Sequence, residues 1–288
     1  MKNRRETKKK GAYGMPIAHI NGADLHYELE NFTDPWTKPK TFLLHHGFSR
    51  NSQFWYKWVP LLSGQFQVLR PDLRGLSRSP VPTESYNPSA ETLVGDVIGL
   101  LDHLGIEKVV YVGEPFGAIL GMYTALAHPE RLHALVLIGS PLRVPREKFG
   151  EKFPVREGSW DGAMAKGVDN WSRQTIGQRL DVSVAPAELA EWWISEMGKT
   201  NPENAIKLDH FIATVDTTSR LSELKVPTLY LAGENEHAIT PQQLDLLRAQ
   251  VPDVKVVIVP GVGPALFALK PERCVQEILT FLREHSLL

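Results

Sequence analysis

In YVGEPFGAILG, Tyr111 to Gly121, a short apolar strand runs into a tight turn and the turn into a helix. A turn of this form presents a nucleophile at its tip. Here the tip is Pro115, which carries no hydroxyl, thiol or carboxylate, so no covalent intermediate can form on it. Glu114, beside it, is a candidate for proton transfer, because a carboxylate in a partly dry pocket has a raised pKa. The alternative is a carboxylate paired elsewhere or solvated. Two other stretches carry chemistry. HHGFS (45–49) places His45 and His46 at the end of an apolar run, and GENEH (233–237) gathers Glu234, Glu236 and His237. His46 is a candidate for proton transfer or for hydrogen bonding within its own loop. Glu236 is a candidate site acid, with plain loop solvation as the alternative. No His-x-x-x-His pair or cysteine cluster sets up a metal site. GVGPALF (261–267) has glycine spacing but no phosphate-loop lysine, so no nucleotide or other cofactor is expected.

These residues need strands and helices to hold them. PIAHINGADLHYEL alternates around Asn21-Gly22, a hairpin whose turn wants positive φ at both central residues. TFLLHHG, QVLRPDLRG, KVVYVGE, LHALVLIGS, PTLYLAGE and VKVVIVPG are short, continuously apolar strands. NSQFWYKWVPLL reads as a helix capped by Asn51 or Ser52. SAETLVGDVIGLLDHLG reads as a helix with Ser89 as N-cap and Gly105 as its stop. Buried strands alternating with helices imply a parallel sheet covered on both faces, with the ligand site at the carboxyl ends of its strands.

Residues 141–215 break the alternation. They hold no convincing strand, read as helices, and contain Trp160, Trp171, Trp192 and Trp193 of the seven tryptophans. We read them as a helical cap over a core formed by residues 15–140 and 216–288. Adjacent helical residues cannot share a face, so Trp192 and Trp193 point apart. Trp160, Trp192 and Trp193 are the candidates for lining a pocket, and packing between cap helices is the alternative.

Composition narrows the function classes. With 288 residues, 42% apolar and 23% charged, the chain can bury a large core. A net charge of −1 favours neither nucleic acid nor an anionic membrane, and no apolar run approaches the roughly 20 residues of a membrane span. The single cysteine, Cys274, excludes an internal disulfide and points to a reducing, cytoplasmic setting. Residues 1–14 hold the basic run MKNRRETKKK and are expected to be a disordered tail. Oligomeric state is not legible.

The order of motifs resembles the α/β-hydrolase fold family, within it the small bacterial esterases, enol-lactone hydrolases and C–C bond hydrolases with a helical cap. The resemblance covers residues 16–286 and rests on HHGFS, RPDLRG (70–75), GEPFG (113–117), AHPERLHALVLIGSPLR (127–143), LAGENEH (231–237) and VPGVGPALFALKPE (259–272). It implies a mostly parallel sheet flanked by helices, and chemistry by a serine, a histidine and an acid beside two oxyanion-binding amides. Carried over by position, the nucleophile falls on Pro115, the base on Pro264 and the acid on Glu236. The oxyanion amides fall on Phe48 and Phe116. Gly75-Leu76-Ser77 departs from the usual second glycine of that turn.

The resemblance therefore implies the scaffold without its proton relay. Proline holds φ near −65°, so the strained positive φ of a nucleophile turn is out of reach and a relaxed turn is expected. The expected function is to bind a small, mostly apolar carbonyl compound. If there is turnover, it is a step needing no nucleophile: isomerisation, decarboxylation, cyclisation or elimination, assisted by oxyanion stabilisation. The alternatives are a pseudoenzyme that binds without turnover, a triad-altered variant of an ester or enol-lactone hydrolase, and hydrolysis by water activated at Glu114 or Glu236.

Overall fold

An eight-stranded sheet forms the frame of the molecule, in the order β1-β2-β4-β3-β5-β6-β7-β8. The structure is a computed structural model and describes residues 16–81, 86–144 and 151–288. The basic tail read from the sequence lies outside these residues. The strands are β1 (Ile17–Ile20), β2 (Ala23–Glu30), β3 (Thr41–His45), β4 (Gln67–Pro71), β5 (Val109–Gly113), β6 (Leu132–Ile138), β7 (Thr228–Gly233) and β8 (Val254–Val259). β1 and β2 are an antiparallel hairpin, and β2 pairs antiparallel with β4. Every other pairing is parallel. The hairpin turn takes φ of 48° at Asn21 and 74° at Gly22, the left-handed pair its sequence demands.

Strand side chains alternate between two cores. Leu43, Tyr111, Leu135, Leu137 and Tyr230 face one side, under α2 (Ala90–Leu104), α3 (Phe116–Ala127) and α8 (Pro241–Gln250). Phe42, Leu44, Val110, Val112, Val136 and Leu231 face the other, under α1 (Val59–Leu62), α9 (Leu266–Leu269) and α10 (Pro271–Glu284). α2 starts where the Ser89 side chain accepts the Thr92 N–H and stops at Gly105, whose φ is 67°. The helix read over residues 51–62 is instead two short turns. The Asn51 side chain caps a 3-10 turn over Ser52–Trp55, and α1 begins separately with Pro60 in its first turn. Proline supplies no N–H to continue a helix and prefers such a position.

Between β6 and β7 the described chain is helical: α4 (Trp160–Ala165), α5 (Val168–Thr175), α6 (Ala187–Met197) and α7 (Pro202–Ala213). Its ends meet, because Arg143 and Asp216 form an isolated antiparallel bridge and Thr217 N–H donates to Leu142 O at 3.0 Å. Met164, Trp171, Trp193 and Met197 of these helices join the core that holds Trp55, Trp58 and Phe267.

Candidate functional site at the carboxyl ends of the strands

The turn between β5 and α3 sets the site. Pro115 has φ −50° and ψ −48°, ordinary right-handed helical values, so this turn is not strained at its tip. Its carbonyl accepts the Ile119 N–H at 3.1 Å and so opens the ladder of α3. Glycine is required at Gly117 for a separate reason: a Cβ there would collide with the carbonyl of His45 at the end of β3. The turn thus packs backbone against backbone on the end of β3.

Two adjoining cavities, about 110 and 40 Å³, open beside Pro115. The larger is walled by Phe48, Phe116, Ile119, Trp160, Trp171 and Ile212, with Arg179 and Asp209 as its charged edge. The smaller lies between Pro115 and Pro264 and adds Glu114, Glu236 and Gly139. Arg50, Pro115, Gln178, Arg179 and Ala238 border both. Among the described residues, no serine, threonine, cysteine, tyrosine, lysine or histidine lines either cavity. Among the described residues, the backbone N–H groups of Phe48 and Phe116 meet no backbone acceptor.

The candidate proton-transfer groups divide sharply. Glu114 is fully buried, accepts the Gly47 N–H at 2.7 Å and is ion-paired to Arg50. Its charge is therefore committed to holding the β3 loop. His46 is buried and does not border either cavity. Its Nε2 accepts the Leu73 N–H at 2.9 Å, which leaves Nδ1–H to donate to Gly47 O at 2.8 Å. Both ring nitrogens are thus used in bracing two loops, and burial lowers its pKa. Burial also lowers His45, to about 3, so this ring is neutral.

Glu236 is different. Its Oε1 accepts the amides of His237 and Ala238, both at 2.9 Å, and its carboxyl faces the smaller cavity. Burial raises its pKa, against the two amide hydrogen bonds and Arg50, which lower it. Pro264 has no side-chain group to pair with it. The Pro264 loop is held from the helical segment instead: Asp181 N–H donates to Pro264 O at 3.0 Å, and Gly263 N–H donates to Asp181 Oδ2 at 2.7 Å. Ala265 follows with φ 69°, a left-handed value that strains a residue with a side chain.

The tryptophans separate as adjacent helical residues must. Trp160 meets Trp171 edge-on at 5.4 Å, and Trp171 meets Phe48 likewise, so the two indoles wall the larger cavity. Trp193 is fully buried against Phe54 and Phe267, with the Arg50 guanidinium 4.8 Å from its ring centre. Trp192 packs on Phe54 and Tyr56 at a half-buried outer groove. Neither Trp192 nor Trp193 borders the cavities at Pro115.

Sequence reasoning did not single out Arg50, Trp171, Gln178, Arg179 or Asp209. Arg50 directly follows HHGFS, a usable signal. Arg179 sits in a stretch without any motif.

The chain carries several likenesses to known proteins. Residues 40–271 match the alpha/beta hydrolase fold family. RutD of Azorhizobium caulinodans, a protein named for carbamate hydrolysis, is 27% identical across 94% of this chain and 99% of its own. Epoxide hydrolase A of Mycobacterium tuberculosis is 25% identical across 83% of this chain and 89% of its own. Among solved structures, the enol-lactonase of Burkholderia xenovorans LB400 superposes with a TM-score of 0.79 at 23% identity, covering 93% of this chain and 100% of that one, a likeness of fold.

Proposed function

We propose, from the premise that this chain belongs to the alpha/beta hydrolase fold family, that it uses the family's ligand site without the family's nucleophile. It binds a small, mostly apolar carbonyl compound beside Pro115. Any turnover is a step that adds no water: isomerisation, decarboxylation, cyclisation or elimination.

One observation carries this reading: nothing with a hydroxyl, thiol, amine or imidazole borders the cavities among the described residues. Acyl transfer needs a nucleophile and a base within hydrogen-bond reach of each other, and neither is at hand. What remains, with Glu114 committed to Arg50, is an electrophilic corner and the carboxyls of Glu236 and Asp209. The amides of Phe48 and Phe116, which meet no backbone acceptor, are suited to a developing oxyanion. Glu236, with its raised pKa, can pass a proton between two positions of an enolisable ligand. A binding module without turnover is the second reading. It is favoured by the commitment of Glu114 and His46 to internal partners, which removes two of the proton-transfer candidates.

The test compares three proteins on esters and enol-lactones: the chain itself, Pro115→Ser with Pro264→His, and that pair with Glu236→Asp. The chain itself is expected to be inactive, and activity to appear only in the reverted proteins. Hydrolysis by the unaltered chain at a rate comparable to the revertants ends the proposal.

A further inference from the structure

Arg179 is 8% exposed, borders both cavities, and forms no ion pair among the described residues. Its donors reach neutral acceptors instead. Nη1 meets Gln178 Oε1 at 2.8 Å, and Nη2 meets Ser172 O at 3.2 Å and Thr175 Oγ1 at 2.8 Å. Its Nε has no hydrogen-bond partner. The guanidinium lies flat enough on Trp171 to place its carbon 4.0 Å from the ring centre. Burial and the nearby Arg50 push its pKa well down, against the attraction of Asp209.

Arg50 is already neutralised by Glu114. Arg179 is therefore the one cationic group of the cavity wall with no carboxylate in ion-pair contact among the described residues, Asp209 attracting it from beyond that distance. A buried charge left without a counter-charge is costly, and buried guanidinium groups are usually met by a fork-shaped anion. The remaining walls (Phe48, Phe116, Ile119, Trp160, Trp171 and Ile212) are apolar. The space is small: an apolar cavity of roughly 150 Å³ takes one benzene ring.

We infer that the ligand of this site is an organic monocarboxylate with a compact apolar body, its carboxylate held by Arg179 and its body lying against Phe48, Trp160 and Trp171. This rests on the reading that the cavities at Pro115 are the ligand site, and it names the charge the ligand must carry. It also sets the ligand's direction, with the carboxylate at the Arg179 edge and the opposite end towards Pro115 and Glu236.

The test is titration calorimetry at pH 7 on the full chain with benzoate, phenylacetate and 3-phenylpropionate, each against its neutral amide. At least one acid is expected to bind tenfold or more tightly than its amide. Arg179→Gln is expected to bring the two to parity, and Arg179→Lys to keep part of the preference, because it keeps the charge and loses the fork. The inference is overturned if no acid binds better than its amide, a comparison that needs no variant. It is also overturned if Arg179→Gln, folded by circular dichroism, keeps the full preference. Hydrolysis of esters by the unaltered chain would sink the functional reading. Acid-over-amide binding lost in Arg179→Gln would leave this inference standing in that case.

Discussion

Two ionic clusters flank the carboxyl edge of the sheet, and they are completed differently. In the cluster after β4 the charges are matched, although neither His26 ring nitrogen has hydrogen-bond geometry to its carboxylate neighbour. Asp72 is 1% exposed; its Oδ1 accepts the Ser52 N–H at 2.7 Å, and its Oδ2 meets Arg78 Nε at 3.2 Å and His26 Nδ1 at 3.2 Å. Arg78 continues to Glu28 at 2.7 Å. The cluster at the cavities is open. Arg50 Nε and Arg179 Nε have no hydrogen-bond partner, and the Glu236 carboxyl faces empty space. Unpaired nitrogens occur in both clusters, so what sets the cavities apart is a guanidinium with no carboxylate in ion-pair contact beside space a ligand can fill. A charge-matched network holds loops in place, whereas an open one has capacity left for a ligand.

Unfolding experiments can break that contrast. The largest effect is expected at Asp72. Asp72→Ala leaves the buried His26 without its nearer carboxylate, takes one of two carboxylates from Arg78 and removes an acceptor from Ser52, for a loss of about 3 kcal/mol in urea unfolding. Burial alone would raise this carboxyl, but the His26 ring, with His46 and Arg78, holds it well below the usual range. A depressed folded pKa means that its stabilisation is present above the unfolded value of about 3.9 and is lost as pH falls below it. The acid limb of the stability curve should therefore be shallower in the variant.

Glu236 should behave in the opposite sense. Its folded pKa is raised, so the folded state favours the protonated form, and stability is lost as pH rises through that raised value. Glu236→Gln keeps the oxygen that accepts the two amides. It is expected to gain up to ~1 kcal/mol at pH 8 and nothing at pH 4. Equal changes at both pH values would show that the carboxyl is not shifted. The smallest change is expected for Arg179→Met. Relief of an unmatched charge offsets the lost stacking on Trp171, so stability should move by less than ~1 kcal/mol. A loss as large as that at Asp72 would mean that Arg179 is a charge-matched structural group like its counterpart.

Much of the fold was legible because its signals are local. Asn21-Gly22 fixed a hairpin, Ser89 and Gly105 bounded a helix, and continuous apolar runs marked the parallel strands. The relaxed turn at residue 115 followed from the fixed φ of proline alone. The content of the site was less legible, because it depends on contacts across the chain. Arg50 meets Glu114 from 64 residues away, and no local pattern announces that this carboxylate is already taken. The tryptophans show the same limit. That Trp192 and Trp193 diverge is a property of helical spacing. That Trp193 turns into the core while Trp171 walls the cavity depends on how α5 and α6 dock, which spacing does not encode. The glycine missing at Ser77 was visible in the sequence, and Ser77 does adopt a left-handed φ of 50°.

Pro115 has a consequence that reaches past its missing hydroxyl. Its φ of −50° is close to the value its ring imposes, so the ring shrinks the set of conformations open to the unfolded chain without straining the folded one. Such a fit is worth about 0.4–1 kcal/mol. Any other residue at this position forfeits that entropy. A residue that also reinstated the tense turn of a working nucleophile would add roughly 1–3 kcal/mol of strain. Placing a nucleophile in a tense turn here therefore runs uphill in stability, and proline runs downhill, so the turn works as a ratchet.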